Sequence, residues 1–338
     1  MPPAERVAEN LNRGLHALFA ADPRVFLLGE DVLDPYGGAF KVTRGLSSRY
    51  PDRVITTPIS EGAIVGVGNG LALAGDRAIV EVMFGDFVTL AFDQIVNFAA
   101  KSVSMYGRRL PMHLLVRCPV GGNRGYGPTH SQSLQKHLVG VPDLALFEVS
   151  PFHDNVRLLE RLLDRGEPCV LFEDKGLYAE RMLTGGRVDE LYRFDWLDAG
   201  ETVARAYVDD PGAADWVIVA PGGMARRALA AARELLVELE LSCQVIVPSQ
   251  LYPFDPEPLL PAVAGAGRVC VVEEGVAGGT WGGEVAHRLY DRLWGRLRQP
   301  VLQVHSRDRV IPTAPHLERE VLVQTATIAH AIREAAGA

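Results

Sequence analysis

The chain has 338 residues, 48% of them hydrophobic and 22% charged, with a formal net charge of −8. That length predicts two domains with sizeable cores, and the charge excludes a nucleic-acid surface, which needs clustered Lys and Arg. The four cysteines, Cys118, Cys169, Cys243 and Cys270, are scattered and form no CxxC pair, so neither a zinc site nor a disulfide framework is expected.

The opening, MPPAERVAEN, has no basic segment leading into an apolar run and does not read as a secretory signal. A short Val- and Leu-rich run from Val25 to Val32 predicts a strand that ends in Gly29-Glu30-Asp31. Ser60 to Gly75 predicts a helix, with Ser60 as N-cap and Gly75 as stop. A strand over Ala78 to Phe84 and a long helix over Asp86 to Tyr106 follow. Met112 to Cys118, Leu144 to Val149 and Pro168 to Phe172 predict strands, with a helix over Asn155 to Asp164 between the last two. Periodicity weakens from Leu177 to Thr202, as in a linker. Strands are then expected over Trp216 to Ala220, Cys243 to Val247, Arg268 to Val272 and Val301 to Val304. Helices are expected over Ala225 to Leu239, Glu284 to Leu297 and Thr325 to Ala336. This alternation predicts an α/β fold of two doubly wound domains: residues 1–180, a linker over 181–202, and residues 203–338. No apolar run approaches the ~18 residues that span a bilayer. With cysteines in strand-like runs, the chain reads as cytoplasmic, in a reducing compartment.

There is no GxxxxGK[ST], which excludes a P-loop, and Gly66, Gly68 and Gly70 do not make GxGxxG. Gly62, Gly66, Gly70 and Ala74 recur every four residues, so small side chains line one stripe of a helix. Such a stripe serves tight packing within the domain or against a partner subunit. Glu61, in the first turn, is either an acid that complements the helix dipole or a carboxyl group facing a ligand. The run from Gly121 to Ser133 follows a strand, is crowded with glycine and contains His130. Glycine-rich loops after strands are where α/β proteins place ligand contacts, and His130 reads equally as a structural or a functional side chain.

Thr57-Pro58-Ile59-Ser60-Glu61, Asp93-Gln94-Ile95-Val96-Asn97 and Gly125-Tyr-Gly-Pro-Thr-His130-Ser-Gln-Ser133 together resemble the β chains of thiamine diphosphate-dependent 2-oxo acid dehydrogenases. Gly29-Glu30-Asp31 and the run from Gly38 to Leu46 are similar to that family's opening. Val271-Val272-Glu273-Glu274, Gly282-Gly283-Glu284 and Ile311-Pro312 resemble its C-terminal domain. The resemblance covers nearly the whole chain in order. It implies a pyrimidine-binding, transketolase-like first domain and a transketolase C-terminal-type second domain.

By this resemblance Glu61 hydrogen-bonds the aminopyrimidine ring of the cofactor and exchanges its proton. Phe87 lies against that ring, with Met83 and Ile59 as apolar contacts. Glu30 is an acid near the cofactor, implicated in proton communication between paired sites, and His130 assists acyl transfer to a lipoyl group. No residue of this chain is expected to ligate a metal. The diphosphate and its Mg2+ call for a GDG sequence followed by Asn, and no GDG occurs in the chain; Gly75-Asp76-Arg77 and Gly85-Asp86-Phe87 come nearest. The implied protein is therefore half a site: a β subunit acting with an alpha-type partner in an α2β2 assembly, on a small 2-oxo acid, with a lipoyl acyltransferase as acceptor. Acetoin cleavage is a variant of that reading. A split transketolase-like enzyme passing a two-carbon unit to an aldehyde is the alternative from another class, and a pseudo-subunit that only stabilises a partner is a third. Arg124 stands where many relatives carry a small residue.

Overall fold

The computed structural model describes residues 5–337, which fall into two units. The first takes Met1–Val120 and Leu138–Met182, the second Gly121–His137 and Leu183–Ala338.

The strands of the first unit are β1 (Val25–Gly29), β2 (Val54–Thr56), β3 (Arg77–Glu81), β4 (Leu114–Val120), β5 (Ala145–Glu148) and β6 (Cys169–Asp174). They pair in parallel in the order β5-β6-β4-β3-β1-β2. Most are short Val, Leu and Ile runs buried along their length, which suits a parallel sheet covered on both faces. The helices are α1 (Val7–Ala21), α2 (Leu46–Arg49), α3 (Glu61–Ala74) and α4 (Asn155–Asp164). Leu11 and Leu15 of α1 and Leu158 and Leu162 of α4 share a core with Val25, Leu27 and Leu171 of the sheet.

Two local expectations change. Ser60 does stand at the N-cap of α3, but its hydroxyl makes no capping hydrogen bond. The long helix expected over Asp86 to Tyr106 is instead a 3-10 segment, Gly85–Ala91, and a π-helical segment, Gln94–Ala100. A side chain enters the backbone ladder at the start of the π-helical segment. Asn69 of α3, fully buried, donates from Nδ2 to the Gln94 carbonyl at 2.9 Å, and an inserted donor of this kind favours the wider turn.

The second unit contains β7 (Arg193–Trp196), β8 (Val203–Tyr207), β9 (Trp216–Val219), β10 (Cys243–Pro248), β11 (Gln250–Tyr252), β12 (Val269–Val276) and β13 (Leu302–Ser306). Its sheet runs β13-β12-β9-β10-β8-β7, parallel from β13 to β10 and antiparallel at β8 and β7. Strand β7 thus lies within the weakly periodic stretch. Its helices are α5 (Met224–Leu239), α6 (Leu260–Ala266), α7 (Trp281–Leu293), α8 (Pro315–Val321) and α9 (Thr325–Ala336). Helix α7 starts before Glu284 because Thr280 accepts the Gly283 amide on its hydroxyl at 3.2 Å, so the two glycines sit inside the first turn.

Each cysteine occupies a strand and is buried, and burial pushes the Cys169 and Cys243 thiols up to about 12. Among the described residues no helix is long and apolar enough to cross a membrane.

Candidate functional site

Strands β2, β1 and β3 are neighbours and end level: Gly29 stands opposite both Thr56 and Glu81. The residues that follow, Glu30, Thr57 and Val82, therefore leave the sheet at the same carboxyl edge, where open parallel sheets bind ligands. Two acceptors at this edge are buried and unused. Glu30 Oε1 and Thr57 Oγ1 have no hydrogen-bond partner among the described residues. A buried oxygen without a donor costs free energy unless something else supplies the donor.

Glu61 opens α3 four residues after Thr57 and is 4% exposed. Burial raises the pKa of Glu30, and the nearby carboxylates of Glu61 and Asp31 raise it further. Glu30 therefore holds its proton more readily than an ordinary carboxyl, with Glu61 as its neighbour. This pair fits a ligand that brings hydrogen-bond donors, as an aminopyrimidine does.

The apolar positions lie on the segments that follow β2 and β3. Met83 follows β3, and Phe87 lies in the 3-10 segment with its amide donating to the Phe84 carbonyl at 3.0 Å. Both are half-buried and not part of the core. Phe84 meets Phe87 edge-on at 6.3 Å and 87°, and the Lys175 ammonium lies 5.4 Å from the Phe84 ring centre. Ile59 is 83% exposed. Among the predicted residues the first unit thus carries Glu30, Glu61, Ile59, Met83 and Phe87, all on segments that leave β1, β2 and β3.

Below the edge lies a polar network that the sequence reading passed over. Arg117 of β4 is fully buried and donates to Glu81 at 2.6 Å and to both oxygens of Glu173 at 2.7 and 2.8 Å. Tyr178 donates to Glu173 at 2.7 Å, and the remaining Glu81 oxygen accepts the Ala39 amide at 2.7 Å. The network ties β3, β4 and β6 to the loop that follows Glu30. Its signal was present in the sequence: Arg117 is a lone charge in the otherwise apolar β4, and Glu81 and Glu173 are acids at the ends of the apolar runs of β3 and β6.

His130 belongs to the second unit. Its Nδ1 lies 2.9 Å from the Thr129 hydroxyl, and its amide donates to the Gly127 carbonyl at 3.4 Å. The glycines of this loop are there for close approach. A Cβ on Gly122 would lie 2.3 Å from the Leu322 side chain. Gly127 has φ +76, and a Cβ on it would lie 2.6 Å from Thr313 Oγ1. Arg124 is exposed, with its guanidinium 5.7 Å from the Tyr126 ring centre.

The small-residue stripe of α3 divides. A Cβ on Gly62 would meet the Leu90 carbonyl at 3.2 Å, and one on Gly66 would meet Gln94 at 3.3 Å, so these pack within the unit. Nothing lies within 4 Å of a Cβ on Gly70, and Ala74 is exposed. Val67 and Leu73 of the same helix are exposed apolar side chains, as are Leu90 and Phe92 further along the chain. No group of three or more His, Cys, Asp or Glu able to hold a metal occurs among the described residues.

Comparison with known proteins agrees with this architecture. Residues 6–181 match the pyrimidine-binding domain of transketolase, and residues 204–328 match the transketolase C-terminal domain. The β subunit of the pyruvate dehydrogenase E1 component of Leifsonia xyli is 34% identical over 305 residues, 90% of this chain and 87% of that one. The β subunit of an acetoin:2,6-dichlorophenolindophenol oxidoreductase from Cupriavidus necator is 31% identical over 96% of this chain and 95% of that one. A solved split-gene transketolase, an inactive β4 tetramer, has the same fold, with a TM-score of 0.73 at 18% identity over 98% of each chain. Both halves of the chain carry the family's domains, and the likeness to dehydrogenase subunits runs almost end to end; the chain belongs to the transketolase-like β subunits of thiamine diphosphate-dependent 2-oxo acid dehydrogenases, which are oxidoreductases.

Proposed function

We propose that this chain works in the cytoplasm with an alpha-type subunit in an α2β2 assembly, decarboxylating a 2-oxo acid and passing the acyl group to a lipoyl carrier of an acyltransferase. The observation that carries the reading is the buried, unpartnered oxygen of Glu30 in the field of Glu61, at the carboxyl edge of β1 and β2. When bound, thiamine diphosphate supplies the carbon nucleophile and the electron sink for decarboxylation.

This chain holds the aminopyrimidine half of that cofactor. The Glu61 carboxyl would hydrogen-bond the pyrimidine ring nitrogen and exchange a proton with it, and Glu30, whose proton affinity is raised, would accept or return a proton beside it. Phe87 and Met83 would give the ring an apolar wall, with Ile59 as a further apolar contact, which would keep water from the reacting groups. His130 would exchange a proton with a lipoyl sulfur. The diphosphate and Mg2+ fall to the partner chain, because this one has no GDG sequence. The open half of the α3 stripe, with Val67 and Leu73 exposed on the same helix, suits close contact with that partner. Four buried, unpaired cysteines fit the reducing cytoplasm.

Calorimetric titration with thiamine diphosphate and Mg2+, with and without a co-expressed alpha-type chain, tests this. Productive binding is expected only in the pair. Micromolar binding with turnover by this chain alone would overturn the shared site and favour a self-sufficient two-carbon transferase. Turnover of the pair on pyruvate, branched-chain 2-oxo acids and acetoin then sorts the substrate.

A further inference from the structure

The loop that carries His130 is fastened by two buried carboxylates from outside it. Glu274, in β12, accepts the Gly122 amide and the Ser133 hydroxyl, each at 3.1 Å on Oε2. Its Oε1 accepts from Arg227 at 3.0 Å and from the Asn123 side chain at 3.3 Å. Glu318, in α8, accepts the Asn123 amide at 2.8 Å and the Gly125 amide at 3.1 Å, one on each oxygen. Gln324 donates to the Asn123 side-chain oxygen at 3.0 Å. Beyond the loop, the Lys136 ammonium donates to the carbonyls of Val276 and Gly278 at 3.0 and 2.8 Å, closing the segment onto the exit of β12.

Glu318 is 2% exposed and Glu274 8%. Each satisfies backbone amides that a glycine-rich turn leaves without helix or sheet partners. Hydrogen bonds to a charged acceptor are the strong kind, and two acids gripping alternate amides remove the freedom that glycine gives a loop. Gly122 approaches closely enough for this only because it lacks a side chain.

We propose that Glu318 and Glu274 are positioning residues: a two-point clamp that holds the Gly121–Ser133 loop so that His130 is presented for acyl transfer. The proposal rests on the acyl-transfer reading of His130. Neither acid touches substrate; each acts through the loop backbone.

The Arg124–Gly125 bond gives a direct test, because its own amide is held by Glu318. In the assembled complex, Glu318→Gln keeps the shape but removes the charge and leaves a single acceptor oxygen for the two amides. Trypsin cleavage after Arg124 is expected to speed up on the order of tenfold, the response of a local opening that loses one strong bond. Amide exchange at Asn123 and Gly125 rises with it. Glu274→Gln, a second variant, raises exchange at Gly122 instead. In both, the ratio of lipoyl-linked to artificial-acceptor turnover falls, because loop order matters most to the step His130 serves. His130→Ala is run alongside. Unchanged cleavage and unchanged exchange in the variants overturn the clamp. Equal losses for His130→Ala in the two assays overturn the acyl-transfer reading, and with it the purpose assigned to the clamp, whatever trypsin reports.

Discussion

Glu30 and Glu318 are both buried acids on segments that carry functional side chains, yet they are treated in opposite ways. Glu318 accepts a backbone amide on each oxygen. Glu30 has a buried oxygen with no donor and lies in the field of two other carboxylates. A chain free to choose would not bury an acid without donors, since desolvation is repaid only by hydrogen bonds or opposite charge. The satisfied acid therefore reads as structural cement, and the unsatisfied one as a place kept for a ligand. Arg117 with Glu81 and Glu173 extends the satisfied class to ion pairs.

If that division is right, breaking a satisfied group should cost stability, while altering an open one should cost activity. The largest stability effect is expected at Arg117. Arg117→Met removes the cation that bonds Glu81 and Glu173, leaving two buried acids without a cationic partner among the described residues. Loss of one partner from a buried pair costs about 3–5 kcal/mol. Urea melts of wild type and variant measure it; a change below about 1 kcal/mol would place the network outside the structural class.

The next effect falls on turnover. Glu61→Gln is nearly isosteric and should leave the melting curve of the complex within about 0.5 kcal/mol of wild type, as for a change that breaks no structural partner. Activity at saturating cofactor should drop on the order of 10² or more, the usual loss when a positioned proton-transfer group is removed. Near-normal turnover would sink the assignment of Glu61. A collapse of stability instead would move Glu61 into the cement class.

The same division explains what could be read from the sequence. Apolar runs such as Val25 to Leu28 and Leu114 to Val116 announced a parallel sheet, because strands buried on both faces need little else. Glu61 and His130 stood out through short-range context, a helix start and a glycine-rich turn. What stayed hidden was set by long-range pairing. Nothing local says that Asn69 will take the Gln94 carbonyl where the expected α-helix gives way to a π-helical segment. Nothing local says that Glu318 grips a loop 193 positions away, or that Glu274 does so across 152. Strand β7 was hidden for a related reason: an antiparallel edge with one half-exposed face has no continuous apolar run. The buried Arg117 network was half-visible, since a charge inside an apolar strand signals a partner without naming it.

The smallest effect is the one that separates the two classes by sign. Glu30 binds its proton more tightly in the folded chain than at its ordinary 4.5. Below 4.5 it is protonated folded or unfolded and contributes its full share of stability. As pH rises, the unfolded chain gives up the proton first, so stability falls through the interval up to the raised folded value and stays lower above it. Glu30→Gln removes that titration. Without cofactor, the variant should melt higher than wild type at pH 8. The gain should shrink as pH is lowered towards 4.5. Saturating thiamine diphosphate with the partner chain should narrow the difference or reverse it, because the ligand then supplies what the open acid lacks. A loss of stability at pH 8 on Glu30→Gln would show that Glu30 is held by its surroundings as Glu318 is, and the contrast between the two units would fail at its clearest point.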